Sequence, residues 1–228
     1  MKKKLMMALS LVLVAVMSIG GTLAYLTSLT DPVKNTFTVG NVNITLDEAN
    51  TDEYGVVIAE GQEGAGRGYG NEYKLIPGHK YSKDPIVHVT VESEPCYVFV
   101  KVVNDIGIEG GIEATNSDST PSIAAQMEAN GWVALDGADD VYYYNKGNAE
   151  NQNGVVVDAR KTAQDLTVFE RFFIANGADV SGFMTENPDA NITITAYAVQ
   201  SDGFDTATEA WESASTSWVK TPANNETT

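Results

Sequence analysis

Asn191-Ile192-Thr193-Ile194-Thr195-Ala196-Tyr197-Ala198-Val199-Gln200 is the clearest strand in the chain. It is rich in β-branched residues and free of glycine and proline. A second stretch, Cys96-Tyr97-Val98-Phe99-Val100-Lys101-Val102-Val103, is apolar at both parities. That pattern predicts a central strand covered on both faces over part of its length. Just before it, Pro85 to Val91 alternates, with Val87, Val89 and Val91 on one side and Ile86, His88 and Thr90 on the other. The polar Glu92-Ser93-Glu94-Pro95 between the two predicts an antiparallel hairpin. Upstream, Leu75 to Tyr81 reads as a strand end with a turn at Pro77-Gly78.

Shorter strands are expected at Val56–Ile58, Gly154–Val157, Leu166–Phe169 and Phe172–Ile174. Trp132–Leu135 and Val141–Tyr144 flank a turn at Asp136–Asp140, a hairpin carried on an insertion spanning about residues 106–150. Pro121 and Asn130-Gly131 frame a short helix from Ile123. Residues 178–187 hold a helical turn, and Ala207–Ala214, with Trp211, forms a short amphipathic helix. Eight to ten strands with few helices predict an all-β fold: a two-sheet antiparallel sandwich with short helical insertions. Gly61, Gly64, Gly66, Gly68 and Gly70 lack any phosphate-loop spacing and read as a surface loop.

The amino terminus has a different character. Lys2, Lys3 and Lys4 precede an apolar run from Leu5 to Ile19, which is short for a membrane span and suited to a signal peptide. Small residues at Thr22 and Ala24 place cleavage after Ala24, with Tyr25 as the new terminus, so residues 1–24 form the signal. Further on, Phe37 and Val39 are apolar at odd positions, whereas Val42, Ile44 and Leu46 are apolar at even ones. One uninterrupted strand cannot change parity in this way, so Gly40-Asn41 is a bulge, a corner or a tight turn. Thr221 to Thr228 is a polar tail with no wall-sorting motif, and no stable membrane anchor is expected.

Composition narrows the function. Hydrophobic residues make up 43% of the chain, enough for a core in one domain. Loss of the signal lysines moves the formal net charge from −17 to −20, which disfavours nucleic acid and anionic lipid as partners. Cys96 is the single cysteine, so no intramolecular disulfide can form. It opens an apolar strand and reads as a small buried hydrophobe.

No catalytic set stands out, and the expectation is a protein that is not an enzyme. The two histidines, His79 and His88, form no H-E-x-x-H motif, and His88 and Glu92 would lie about 13 Å apart along one strand face. Asp136, Asp139 and Asp140 lack the spacing of a calcium loop and read as a solvated turn. No metal site and no cofactor are expected. Asn43, Asn191 and Asn225 occupy N-x-[ST] sequons without evident meaning.

Three segments resemble one family. Gly21-Thr22-Leu23-Ala24-Tyr25 followed by Asn35-Thr36-Phe37-Thr38-Val39-Gly40, the Pro-Gly turn and valine-rich strand within Ile76–Val91, and Ala196-Tyr197-Ala198-Val199-Gln200-Ser201-Asp202-Gly203-Phe204 are similar to the TasA/camelysin proteins secreted by Gram-positive bacteria. The resemblance implies a jelly-roll sandwich over residues 25–220, with 221–228 as its tail. It implies export through a SipW-type signal peptidase to the cell surface or biofilm matrix, alongside other matrix proteins. It further implies fibres built by donor-strand exchange, in which the amino-terminal strand of one subunit completes a sheet of the next.

Tyr25 to Thr30 carries no charged side chain, and Tyr25, Leu26 and Leu29 are the residues expected to act as the exchanging arm. Phe37 to Leu46 is expected to pair within its own subunit. Camelysin-like proteins are classed as peptidases, so a secreted metalloendopeptidase is the second reading. A monomeric adhesin is the third.

Overall fold

The computed structural model describes residues 27–31, 34–36, 42–107, 110–114, 120–147 and 153–218. The amino-terminal strands are β1 (Thr27–Asp31), β2 (Lys34–Thr36) and β3 (Ile44–Ala49). Then follow β4 (Arg67–Gly68), β5 (Lys80–Ser82), β6 (Ile86–Val89) and β7 (Cys96–Asn104). Helix α1 (Ile123–Ala129) precedes the pair β8 (Trp132–Ala134) and β9 (Val141–Tyr144). The chain continues through β10 (Gln164–Thr167), β11 (Arg171–Phe173), helix α2 (Val180–Glu186), β12 (Ile192–Gln200) and helix α3 (Ala207–Trp218).

All pairings are antiparallel, and the arrangement is sandwich-like. One sheet runs β2-β1-β12-β7-β9-β8, the second β10-β6-β3-β4, and β11 pairs with β5 in a small third. The centre of the large sheet is β12 against β7, in register from Ile192↔Asn104 to Gln200↔Cys96. Both are nine residues long, and their alternation explains their place. Cys96, Val98 and Val100 of β7, with Ile194, Ala196 and Ala198 of β12, turn into the core shared with Val42, Ile44, Val87, Val89 and Leu166. Tyr97, Phe99 and Val199 turn outward beneath α3. That helix buries Ala207, Ala210 and Ala214, spaced to share one face. Its Trp211 ring lies 5.1 Å from Phe99 and 5.4 Å from Tyr197. The doubly apolar reading of β7 is therefore correct, and α3 is what covers its second face.

The hairpin expected at 92–95 does not form. β6 pairs with β3 and β10 in one sheet, whereas β7 pairs with β12 and β9 in the other. The polar segment between them crosses from sheet to sheet, a separation of about 10 Å. Glu92 adopts φ +69 there. Ser93 is buried, and its Oγ accepts from Asn43 N at 2.8 Å and donates to Asn43 O at 3.1 Å, fixing the corner to the start of β3.

Other expectations are corrected as well. Val56–Ile58 contributes only a bridge, Thr51↔Val57, and Val56 and Val57 are exposed. Gly154–Val157 contributes only Cys96↔Val157. The glycine-rich stretch is not solely a loop, because Arg67 and Gly68 pair with β3. The β8–β9 hairpin forms as expected, with Trp132↔Tyr144, but it extends the large sheet through β9 and β7 instead of standing apart.

Helix α1 starts at Ser122, whose Oγ accepts from Ala125 N at 3.3 Å. Its buried Gln126 donates from Nε2 to Arg171 O at 2.7 Å and accepts at Oε1 from Glu170 N, so the helix closes the β8–β10 end of the core. The parity change at Gly40-Asn41 lies outside the described residues. Among the described residues no helix is long and apolar enough to cross a membrane.

Candidate functional site

β1 holds its place through backbone pairing. It lies antiparallel to β12 with Thr27↔Val199, Ser28↔Ala198 and Leu29↔Tyr197, and β2 folds back on it with Leu29↔Thr36. Of the residues expected in an exchanging arm, Leu29 is in this strand. Ala24, Tyr25 and Leu26 lie outside the described residues. The arm segment is thus paired at home over Thr27–Asp31, where the sequence reading assigned home pairing to Phe37–Leu46. Of that second stretch, Ile44 to Leu46 pair with β6, and Val42 and Ile44 are buried at the even parity expected. Phe37 to Asn41 lie outside the described residues.

The outer face of the four-stranded sheet carries a chain of charges running across all its strands. Asp165 of β10 meets His88 of β6, its Oδ1 2.7 Å from Nδ1. The other ring nitrogen, Nε2, is 3.1 Å from Asp47 Oδ1 on β3. Asp47 is bound in turn by Arg67 Nε on β4, and Arg67 Nη1 reaches Asp84 Oδ2 at 2.8 Å. The order follows from register, because Asp165 and His88 are cross-strand partners and Asp47 is a diagonal neighbour of His88. Burial pulls His88 towards the neutral form, but its bonds to Asp165 and Asp47 outweigh that and raise its pKa above the ordinary 6.5. Burial pushes Asp47 up, and Arg67 and His88 together bring it below the usual carboxylate value.

These shifts define a pH window. A raised histidine stabilises fully below its unfolded value near 6.5, and the contribution fades as pH rises through the folded value. A lowered aspartate stabilises fully above about 3.9, and the contribution is lost as pH falls through its folded value. Both are complete between about pH 4 and 6.5. The groups are partly exposed, so the histidine contribution is a few tenths to about 1 kcal/mol. Urea unfolding at pH 6 and pH 8 checks this: wild type loses more stability over that interval than His88→Gln. Equal losses in both proteins would refute the role given to the ladder.

The chain matches no family model, no curated protein and no solved structure.

The remaining candidates are quieter. His79 Nε2 lies 2.9 Å from Tyr54 O, and its ring packs 4.7 Å from Tyr81. Cys96 is fully buried as expected, its thiol pushed up to about 12 by burial, which removes it as a ready nucleophile. Asp136, Asp139 and Asp140 lie in the β8–β9 turn, where Asp140 adopts φ +62 and its carbonyl accepts from Val102 N at 2.9 Å. Among the described residues no group of three or more His, Cys, Asp or Glu side chains could hold a metal.

Sequence reasoning missed Asp47, Arg67, Asp84 and Asp165, and treated His88 as an ordinary histidine of the polar face. It also passed over Glu48 and Lys83, a buried pair with Nζ donating to Oε2 at 2.6 Å. A signal for that pair existed. Glu48 continues the inward even series of Val42 and Ile44, and Lys83 continues the inward odd series of Tyr81, Val87 and Val89.

Proposed function

We propose that this is a secreted structural protein of the cell surface or biofilm matrix, a jelly-roll sandwich that assembles into fibres by exchange of its amino-terminal strand. The observation that carries the reading is the pairing of β1 with β12. The strand belongs to the first described segment of the chain, and among the described residues it pairs with β12 and β2. Its withdrawal would leave the β12–β7–β9–β8 core of the sheet intact and open one edge of β12. The same segment from a second copy satisfies the same backbone groups in the same register, so the exchange is close to isoenergetic per hydrogen bond. The acidity of the chain keeps unlinked copies apart and leaves specific strand pairing to set the order of assembly.

Deletion of Tyr25 to Thr30 from the mature protein tests the proposal. The truncated protein is expected to remain folded by circular dichroism, to sediment as a monomer, and to form no fibres under electron microscopy where the intact mature chain does. Fibres of normal length from the truncated protein would overturn it.

A further inference from the structure

Glu48 and Lys83 are 4% and 7% exposed, deep in a small domain. A buried ion pair seldom stabilises a fold more than apolar residues of the same volume would, so its surroundings are informative. Glu48 Oε2 accepts from Lys83 Nζ at 2.6 Å. The other oxygen of the same carboxylate, Oε1, accepts from Asn71 Nδ2 at 2.9 Å. Asn71 Oδ1 accepts from the backbone N–H of Thr51 at 2.8 Å, which polarises the side-chain carbonyl. Asn71 and Lys83 together line two adjoining cavities of about 300 and 180 Å³. Tyr73 and Phe172 wall the larger one. One carboxylate thus accepts from both an amine and a carboxamide, beside a cavity walled in part by Tyr73, Leu75 and Phe172.

We propose that Lys83 and Asn71 are joined by an intramolecular isopeptide bond that the folded chain makes by itself, with Glu48 as proton carrier. Glu48 Oε2 takes one proton from the Lys83 ammonium along the hydrogen bond already in place. The neutral amine attacks Asn71 Cγ, and the charge that develops on Oδ1 is met by the Thr51 N–H. A second proton passes from Nζ to Nδ2. The Cγ–Nδ2 bond breaks, and the nitrogen leaves as ammonia through the cavity that both residues line. The Nζ–Cγ amide bond is formed. Ammonium, carboxylate and carboxamide have become a secondary amide, a neutral carboxylic acid and ammonia, so atoms and charge balance without oxidant or cofactor. Two buried charges disappear, which favours the product. Proximity replaces activation of the amide: both groups are bound to one carboxylate, an encounter that a free lysine and asparagine reach only by chance. The product ties the segment after β4 to the segment between β5 and β6, a covalent closure in a chain whose single cysteine cannot supply one.

Mass spectrometry of the purified chain, denatured and digested with trypsin, decides the matter. The bond blocks cleavage after Lys83. The expected product is therefore a branched peptide joining residues 68–74 to residues 81–101, lighter than the two together by one ammonia. Lys83→Arg abolishes it. Glu48→Gln slows its formation by ~100-fold or more, the loss typical of a missing general acid–base. Asn71→Asp gives the same branch with loss of water in place of ammonia. Loss of ammonia without the branched peptide marks succinimide formation elsewhere and counts against the bond. Wild-type protein that is folded yet yields separate peptides cut after Lys83 overturns the proposal, whatever the variants do. A Glu48→Gln protein that is folded by circular dichroism and links at the wild-type rate overturns the role of Glu48.

Discussion

Trp132→Ala lowers the stability of the folded chain by about 3–5 kcal/mol. The indole is 2% exposed at the start of β8, the edge strand of the large sheet. Its Nε1 donates at 2.8 Å to Thr167 O on β10, the edge strand of the facing sheet. The side chain therefore bridges the two sheets where neither has a further strand to close the gap. It also meets the Tyr144 ring at 5.3 Å, its cross-strand partner in the hairpin. Truncation removes the buried surface, leaves a cavity in the core that Trp132 shares with Met127 and Ile123, and strips the Thr167 carbonyl of its donor. Trp132→Phe separates these terms. It keeps most of the volume and loses the donor, at a cost of about 1–3 kcal/mol. Urea unfolding followed by circular dichroism gives both values. An alanine variant within 1 kcal/mol of wild type, on the scale expected for core truncations, would remove the bridge from the account.

Gly55→Ala is the second large effect, and it acts through the backbone. Gly55 adopts φ +72, and a Cβ there would lie 2.8 Å from Tyr81 Cα and 2.7 Å from Tyr81 Cδ1. The turn is fixed on both sides. Gly55 N donates to Asp52 O and Gly55 O accepts from Ser82 N, each at 3.0 Å. Asp52 Oδ1 accepts from Tyr54 N and Val56 N at 2.9 Å. Tyr81 cannot yield easily. It is fully buried, stacked 4.9 Å from Phe172 at 11° and edge-on to Tyr73 at 5.5 Å. The left-handed backbone costs about 1–2 kcal/mol and the overpacking about 1–3 kcal/mol, so the total is roughly 2–5 kcal/mol. The midpoint of thermal unfolding falls by roughly 5–15 °C. Gly61→Ala supplies the comparison, because Gly61 has φ +86 with nothing within 4 Å of the added carbon. It should show the backbone cost alone, and equal shifts for the two variants would mean the Tyr81 contact contributes nothing.

What could be read in advance was whatever the chain encodes locally. Cys96 to Val103 is apolar at both parities, and that alone required cover on two faces; α3 supplies the second. Pro121 and Asn130-Gly131 mark the ends of α1 because helix boundaries are a matter of neighbouring residues, although the cap itself is Ser122. The error at Glu92–Pro95 has a physical source. A short polar segment serves equally well as a hairpin turn or as a crossing between sheets. The choice is made by β12, a partner nearly a hundred residues further along. Val56–Ile58 shows the same limit in reverse: β-branched composition that meets the chain only at the Thr51↔Val57 bridge leaves Val56 and Val57 exposed. The charge ladder was invisible because Asp47, His88 and Asp165 come from three strands whose register is set by the core on the opposite face. Glu48 and Lys83 were legible one at a time as charges on inward positions. Only the fold brings them onto one hydrogen bond.

The position of β12 also dictates when the molecule can become itself. The strand that lies between β1 and β7 is the last one in the described chain, so both neighbours must wait for it. No vectorial route, in which each strand docks as it emerges, can build the large sheet. Until Ile192–Gln200 arrives, β7 presents a nine-residue unpaired edge, apolar except for Lys101 and Asn104, to the solvent. Contacts of such long sequence separation place folding in the millisecond-to-second range, and the waiting edge is the point at which a delayed chain is captured by another copy.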